Sequence, residues 1–189
     1  MTTKLHTRPS ARALLALAAA PVMLAACAST PMMADPRVDN ATLPEAVRVP
    51  AGEMQKLWTR GAGEITYECR ENAQTPGQFA WAFVVPKADL TDANGKVVGK
   101  YYGGPTWKHM DGSKLTGKQV AVAPAQPGNI PLQLVRAEPA MGTGKLQGVS
   151  FIQRLNTSGG VAPAAPCAAA NRGEKRQVAY AADYVMYGR

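Results

Sequence analysis

The chain has 189 residues, 46% of them hydrophobic, with 21 Lys and Arg against 13 Asp and Glu for a formal net charge of +8. That length allows one domain with a sizeable core. The bases form no dense block, which argues against a nucleic-acid partner.

Lys4, Arg8 and Arg12 open the chain without an acid, and an apolar run follows from Ala13 to Met23. This is the order of a secretory leader. The run is shorter than the roughly 20 residues a bilayer span needs, and Pro21 interrupts it, so no transmembrane helix is expected. The absence of an Arg-Arg pair favours the ordinary unfolded export route.

Leu24-Ala25-Ala26-Cys27 resembles the lipobox of a bacterial lipoprotein. The resemblance implies cleavage before Cys27, a diacylglyceryl group on its sulfur and a third acyl chain on its new amine. Each buried methylene contributes roughly 0.8 kcal/mol, and two chains or more anchor firmly. Ala28, rather than Asp, follows the cysteine, which sorts such a lipoprotein to the outer membrane, facing the periplasm. The alternative is ordinary cleavage after Ala26-Cys27-Ala28, releasing a soluble secreted protein. Losing Lys4, Arg8 and Arg12 leaves 18 bases against 13 acids, a net charge near +5 suited to anionic headgroups or glycans.

Residues 27–43 read as a lipidated flexible tether, since Pro, Ser, Asp and Asn recur there without periodicity. The folded part is expected from Pro44 to Arg189. Within it, Glu64 to Arg70 alternates, with Ile65, Tyr67 and Cys69 on one face. Phe79 to Val85 is apolar on both faces and reads as a central, doubly covered strand. A short helix or turn fits Lys87 to Asp92. Asn94-Gly95 signals a hairpin, and Lys96 to Tyr102 is its return strand. After a turn at Asp111-Gly112, strands fit Gln119 to Ala123, Ile130 to Arg136, Gly148 to Leu155 and Gln177 to Tyr187. The fold class is therefore all-β, a single-domain antiparallel sandwich or barrel with long loops.

With Cys27 lipidated, Cys69 and Cys167 remain, and an exported pair is expected to form one disulfide. Val161 to Ala170 would be the loop that carries Cys167. No phosphate loop, EF-hand, nucleophile elbow or zinc ligand set is present, so no cofactor and no metal are expected.

His109 is the one histidine beyond the leader. A strand would point Trp107, His109 and Asp111 the same way, so His109 and Asp111 could do acid–base work with Ser113 as the nearest nucleophile. The plainer reading makes His109 a turn residue and Asp111 a turn cap. Trp107 follows Gly103-Gly104-Pro105-Thr106, and Tyr102 lies just before. Aromatic faces beside polar groups suit sugars or flat ligands, although Trp58, Trp81 and Trp107 also suit a core. Arg154 could clamp an anion, with Asn156 and Thr157 adding hydrogen bonds. Lysines 96, 100, 108, 114 and 118 would meet anionic glycan or guard a strand edge.

Several of these motifs recur together in one family. They are Leu57 with Gly61-Ala62-Gly63 and Tyr67-Glu68-Cys69, Trp81-Ala82-Phe83, Gly103-Gly104-Pro105-Thr106-Trp107 with Asp111-Gly112-Ser113, Gln153 to Thr157 with Gly159-Gly160, Cys167, and Tyr180 with Asp183-Tyr184. Together they resemble a secreted family, domain of unknown function 3455, over roughly Pro44 to Tyr187. The resemblance implies export, a compact β-rich domain and a Cys69–Cys167 bridge. It supplies no activity and no catalytic residues. The expected function is binding of a glycan or small polar ligand by Tyr102, Trp107, Arg154 and Asn156. The alternatives are a hydrolase using His109 and Asp111, or a structural envelope-assembly protein.

Overall fold

The computed structural model describes residues 1–3 and 33–189. The leader, the lipobox and Cys27 lie outside the described residues. Eight antiparallel strands close into a barrel in simple sequence order. They are β1 (Met54–Glu71), β2 (Phe79–Thr91), β3 (Val97–Tyr102), β4 (Thr106–His109), β5 (Lys114–Ala123), β6 (Leu132–Ala137), β7 (Phe151–Gly159) and β8 (Lys175–Gly188). Closure is made by β1 pairing along β8, from Met54↔Gly188 to Glu68↔Lys175.

Alternation along each strand divides the core in two. Inward residues of the barrel include Leu57, Ile65, Tyr67, Leu90, Tyr101, Trp107, Leu115, Val135, Ile152, Tyr180, Tyr184 and Met186. An eight-stranded barrel has an interior that side chains can just fill, and large aromatics fill this one. Gly61 makes part of the room: a Cβ there would meet the Tyr184 ring at 2.6 Å. On the outer face, Leu134, Phe151, Leu155, Val185 and Tyr187 form a second cluster.

That second cluster is roofed by the segment before β1. Val47 and Val49 are buried in it, with Val38 and Leu43 packed alongside. Asn40 fixes the roof, donating to the Val49 carbonyl at 3.0 Å and accepting from the Val49 amide at 3.0 Å. Buried Gln153 donates to the Val47 carbonyl at 2.6 Å. Farther upstream, the Asp35 carboxylate accepts the Trp58 amide at 3.1 Å. The chain is thus held to the barrel well before the expected start at Pro44, by Asp35 and by Val38 and Leu43, which have an apolar face to cover.

Three local expectations differ from the structure. Lys87 to Thr91 continues β2 rather than forming a helix, with Ala88 and Leu90 inward. Phe79 to Val85 is not doubly covered, since Phe83 is 56% exposed. There β2 runs on past the end of β3, whose pairing with it stops at Lys87. Trp81 is half-buried, its indole donating to the Ala165 carbonyl at 2.7 Å with the Arg176 guanidinium 5.3 Å from its ring. Thr106 to His109, which follows the Gly103-Gly104-Pro105 turn, is the short strand β4. A closed barrel has no open edge, so the lysines guard none.

One disulfide joins Cys69 near the end of β1 to Cys167 in the β7–β8 connection, with Cα atoms 5.4 Å apart. Among the described residues no helix is long and apolar enough to cross a membrane.

Candidate functional site

The connections β1–β2, β3–β4, β5–β6 and β7–β8 gather at one end of the barrel, which is the end the disulfide loop overhangs. Arg154 lies just inside it. On β7, Ile152 faces the interior and Leu155 the outer layer, so the alternation turns Arg154 inward. Its Nε and Nη2 both donate to the Pro131 carbonyl, at 3.2 and 2.9 Å. Guanidinium carries five N–H donors, and no carboxylate among the described residues pairs with this one.

Four phenols sense that charge. Burial pushes Tyr67, Tyr101, Tyr180 and Tyr184 up, and the Arg154 charge pulls each of them down. Tyr180 still ends at about 12, and Tyr184 well above its ordinary value. The tyrosines interlock: the Tyr101 and Tyr184 ring centroids are 4.9 Å apart, and the Tyr180 and Tyr184 hydroxyls are 3.4 Å apart. Tyr67 sits highest, its hydroxyl donating to the Gly160 carbonyl at 2.8 Å. Across from it on the same face of the hairpin, exposed Phe83 meets Tyr67 edge-on at 6.1 Å. The mouth therefore presents a cation, a phenol and an open aromatic face. Tyr67 and Phe83 were absent from the expected set. The alternation of Ile65, Tyr67 and Cys69 carried the signal for Tyr67. Nothing in the sequence marked Phe83 as exposed.

The four residues expected to bind do not share a surface. Trp107 is 1% exposed, inside the barrel between Tyr101 and Tyr184, with ring centroids 4.9 and 5.7 Å away. Its Nε1 has no partner. Tyr102 alternates with inward Tyr101 and so faces outward on β3. Asn156 also lies outside. Its backbone adopts φ 46°, its amide donates to Asp183 at 2.7 Å, and Arg60 ties both to β1, with 2.9 Å to Asp183 and 3.0 Å to the Asn156 carbonyl. Asn tolerates that left-handed geometry better than most residues. It shapes the irregularity where β7 pairs with β8 between Leu155 and Ser158. Of the four, only Arg154 reaches the mouth.

His109 and Asp111 lie at the opposite end, beside the β4–β5 turn. Nδ1 of His109 is 2.9 Å from Oδ2 of Asp111, and its Nε2 is buried without a partner. The Asp111 carboxylate accepts the Ser113 hydroxyl at 2.6 Å, the Ser113 amide at 2.9 Å and the Lys145 amide at 2.8 Å. Desolvation works against its charge, but these donors outweigh it and hold the carboxyl below the usual range. The Ser113 proton goes to the aspartate and not to histidine, and Ser113 is fully buried. A nucleophile needs its hydroxyl against a base. This cluster instead clasps the β4–β5 turn to the loop before β7. Among the described residues, no group of three or more His, Cys, Asp or Glu could hold a metal ion.

The family model described as "Protein of unknown function (DUF3455)" matches residues 50–188, and the chain belongs to that family. No curated protein and no solved structure matches it.

Proposed function

We propose that the protein is a lipid-anchored binding module of the cell envelope, taking a small anionic polar ligand, such as an acidic sugar, at the barrel mouth. Acyl chains on Cys27 hold it on the outer membrane, facing the periplasm. The leader and the Leu24-Ala25-Ala26-Cys27 pattern support the anchor. The Cys69–Cys167 bridge accords with an oxidising compartment.

The observation that carries the ligand is Arg154, held from one side by the Pro131 carbonyl and without a carboxylate partner among the described residues, in a barrel whose β1–β2 hairpin leaves the Phe83 ring exposed. Charge-assisted hydrogen bonds from guanidinium to carboxylate are strong and directional. An aromatic face beside them covers the apolar side of a sugar ring. The ligand therefore combines a carboxylate with a pyranose-like face.

Thermal unfolding in the presence of glucuronate and galacturonate tests this. A ligand at about 100 times its Kd adds about 2.7 kcal/mol of stability and raises the midpoint. Arg154→Gln keeps a side-chain donor for the Pro131 carbonyl and removes the charge, so it abolishes the rise while the fold persists. A midpoint unmoved by acidic sugars counts against the ligand. The anchor is checked separately by the intact mass of the mature protein, which begins at Cys27 and carries acyl chains.

A further inference from the structure

The end of the barrel away from the mouth carries a surface that the binding reading leaves unused. Lysines face outward in a row across three strands, where Lys100 lies directly opposite Lys108, and Lys108 opposite Lys114. Like charges placed directly opposite each other destabilise a sheet. Among the described residues only Lys100 in that row is neutralised, by Asp89 at 2.6 Å. The other acids nearby are engaged: Asp92 accepts the Asn94 and Lys96 amides, and Asp111 is taken by the clasp.

Apolar side chains stand open among these bases. Met110 is 71% exposed and Val97 is 41% exposed. They line a shallow groove with Lys96, Lys100, Lys108 and Lys145 between the β2–β3 hairpin and the β4–β5 turn. Lysines around open aliphatic groups are the composition of a surface that rests on lipid headgroups.

The path of the chain selects the occupant. The Met33 amide donates to Asn94 Oδ1 at 2.9 Å, in the same hairpin as Lys96 and Val97. Cys27 is six residues earlier, a distance of at most about 20 Å when fully extended. Acyl chains on Cys27 therefore hold this end of the barrel close to the bilayer surface.

We propose that this basic and apolar end is a membrane-docking surface that seats on anionic phospholipid headgroups and turns the mouth around Arg154 away from the membrane. The proposal rests on the acylation of Cys27 put forward above. It explains why uncompensated lysines are kept side by side and why Met110 is left open.

Acylated mature protein is incorporated into vesicles of phosphatidylethanolamine with phosphatidylglycerol, a fraction of the lipid carrying a headgroup nitroxide. A fluorophore is attached through Met110→Cys, or through Thr75→Cys at the tip of the β1–β2 hairpin. Strong quenching at position 110 and little at position 75 is expected. A second measurement uses non-acylated Cys27→Ser protein. Its partition onto the same vesicles falls about fivefold for each of Lys96→Gln, Lys108→Gln and Lys145→Gln, and Lys118→Gln serves as the control. If the mature protein carries no acyl chain, the anchor reading and this orientation fall together. If it is acylated but both labels are quenched equally, or the three lysine variants partition like the control, the docking surface falls and the anchor stands. Lipid-independent self-quenching at position 110 would assign the patch to a second copy of the chain and would also overturn it.

Discussion

Trp107 occupies a place where its ring is needed more than its nitrogen. The indole fills the barrel between Tyr101 and Tyr184, yet Nε1 has no acceptor. Truncation to alanine removes a large buried ring and leaves a cavity, so Trp107→Ala costs about 3–5 kcal/mol. Trp107→Phe costs clearly less, because it keeps most of the packing and deletes a buried donor that makes no bond. Urea unfolding of both variants reads the difference. Equal losses would mean that the nitrogen is satisfied, and a stable Trp107→Ala protein would move the ring out of the core. The same residue shows what a linear sequence withholds. Gly103-Gly104-Pro105 reads as a loop, and Trp107 beside a loop reads as core or as pocket wall. Only the pairings Tyr101↔Trp107 and Trp107↔Leu115 make it a strand residue turned inward. Residue type alone offers Arg154 as a candidate anion clamp, whereas its orientation depends on the register of β7.

Among the elements, those with strong local signals were legible. Ile65, Tyr67 and Cys69 alternate because β1 buries one face, and Asn94-Gly95 forms its hairpin with Gly95 at φ 77°. The strand β4 was hidden by its four-residue length between two glycine turns. Closure was also beyond local reading, since it depends on β1 meeting β8 more than a hundred residues later. The clasp around Asp111 makes the short β4 viable. It binds the β4–β5 turn to the loop at Lys145 and Leu146, whose amide donates to Ser113 Oγ at 3.3 Å. Asp111→Ala strips several charge-assisted bonds and leaves Ser113 buried without its acceptor, a loss of about 2–3 kcal/mol. Hydrogen exchange at the Ser113 and Lys145 amides rises with it. The sign of the pH effect follows from the lowered folded value. The stabilisation is complete above the unfolded carboxylate range near 4 and is lost as pH falls through the folded value. Asp111→Asn therefore flattens the acid limb of a stability profile. An unchanged acid limb would show that other carboxylates set it.

At the scale of the whole barrel, the tyrosines set an alkaline limit. Burial pushes Tyr101 and Tyr184 up and takes Tyr180 and Tyr187 to about 12, against about 10 in an unfolded chain. Below pH 10 both states keep these phenols protonated, and stability is fully present. Above it the unfolded ensemble ionises first and binds fewer protons, so stability falls as pH rises. Tyr180 and Tyr187 each contribute about 1.4 kcal/mol per pH unit between about 10 and 12, roughly 5 kcal/mol together over that interval, and Tyr101 and Tyr184 act in the same direction. A domain holds roughly 5–15 kcal/mol in all, so the barrel opens cooperatively between pH 10 and 12. Tyrosinate absorbance and far-ultraviolet circular dichroism, followed on one sample, should change together. Tyrosinate absorbance that rises in full near pH 10 while the dichroism is unchanged would show that the phenols lie in water rather than in the barrel wall and core. Tyr187→Phe supplies the sharper check, because the Tyr187 hydroxyl is buried in the outer layer with no partner. Deleting it breaks no hydrogen bond and removes one titrating group, so the alkaline midpoint moves up. A midpoint that moves down would mean that the hydroxyl is bonded in solution and that the outer layer beneath Val47 and Val49 is wetter than its packing implies.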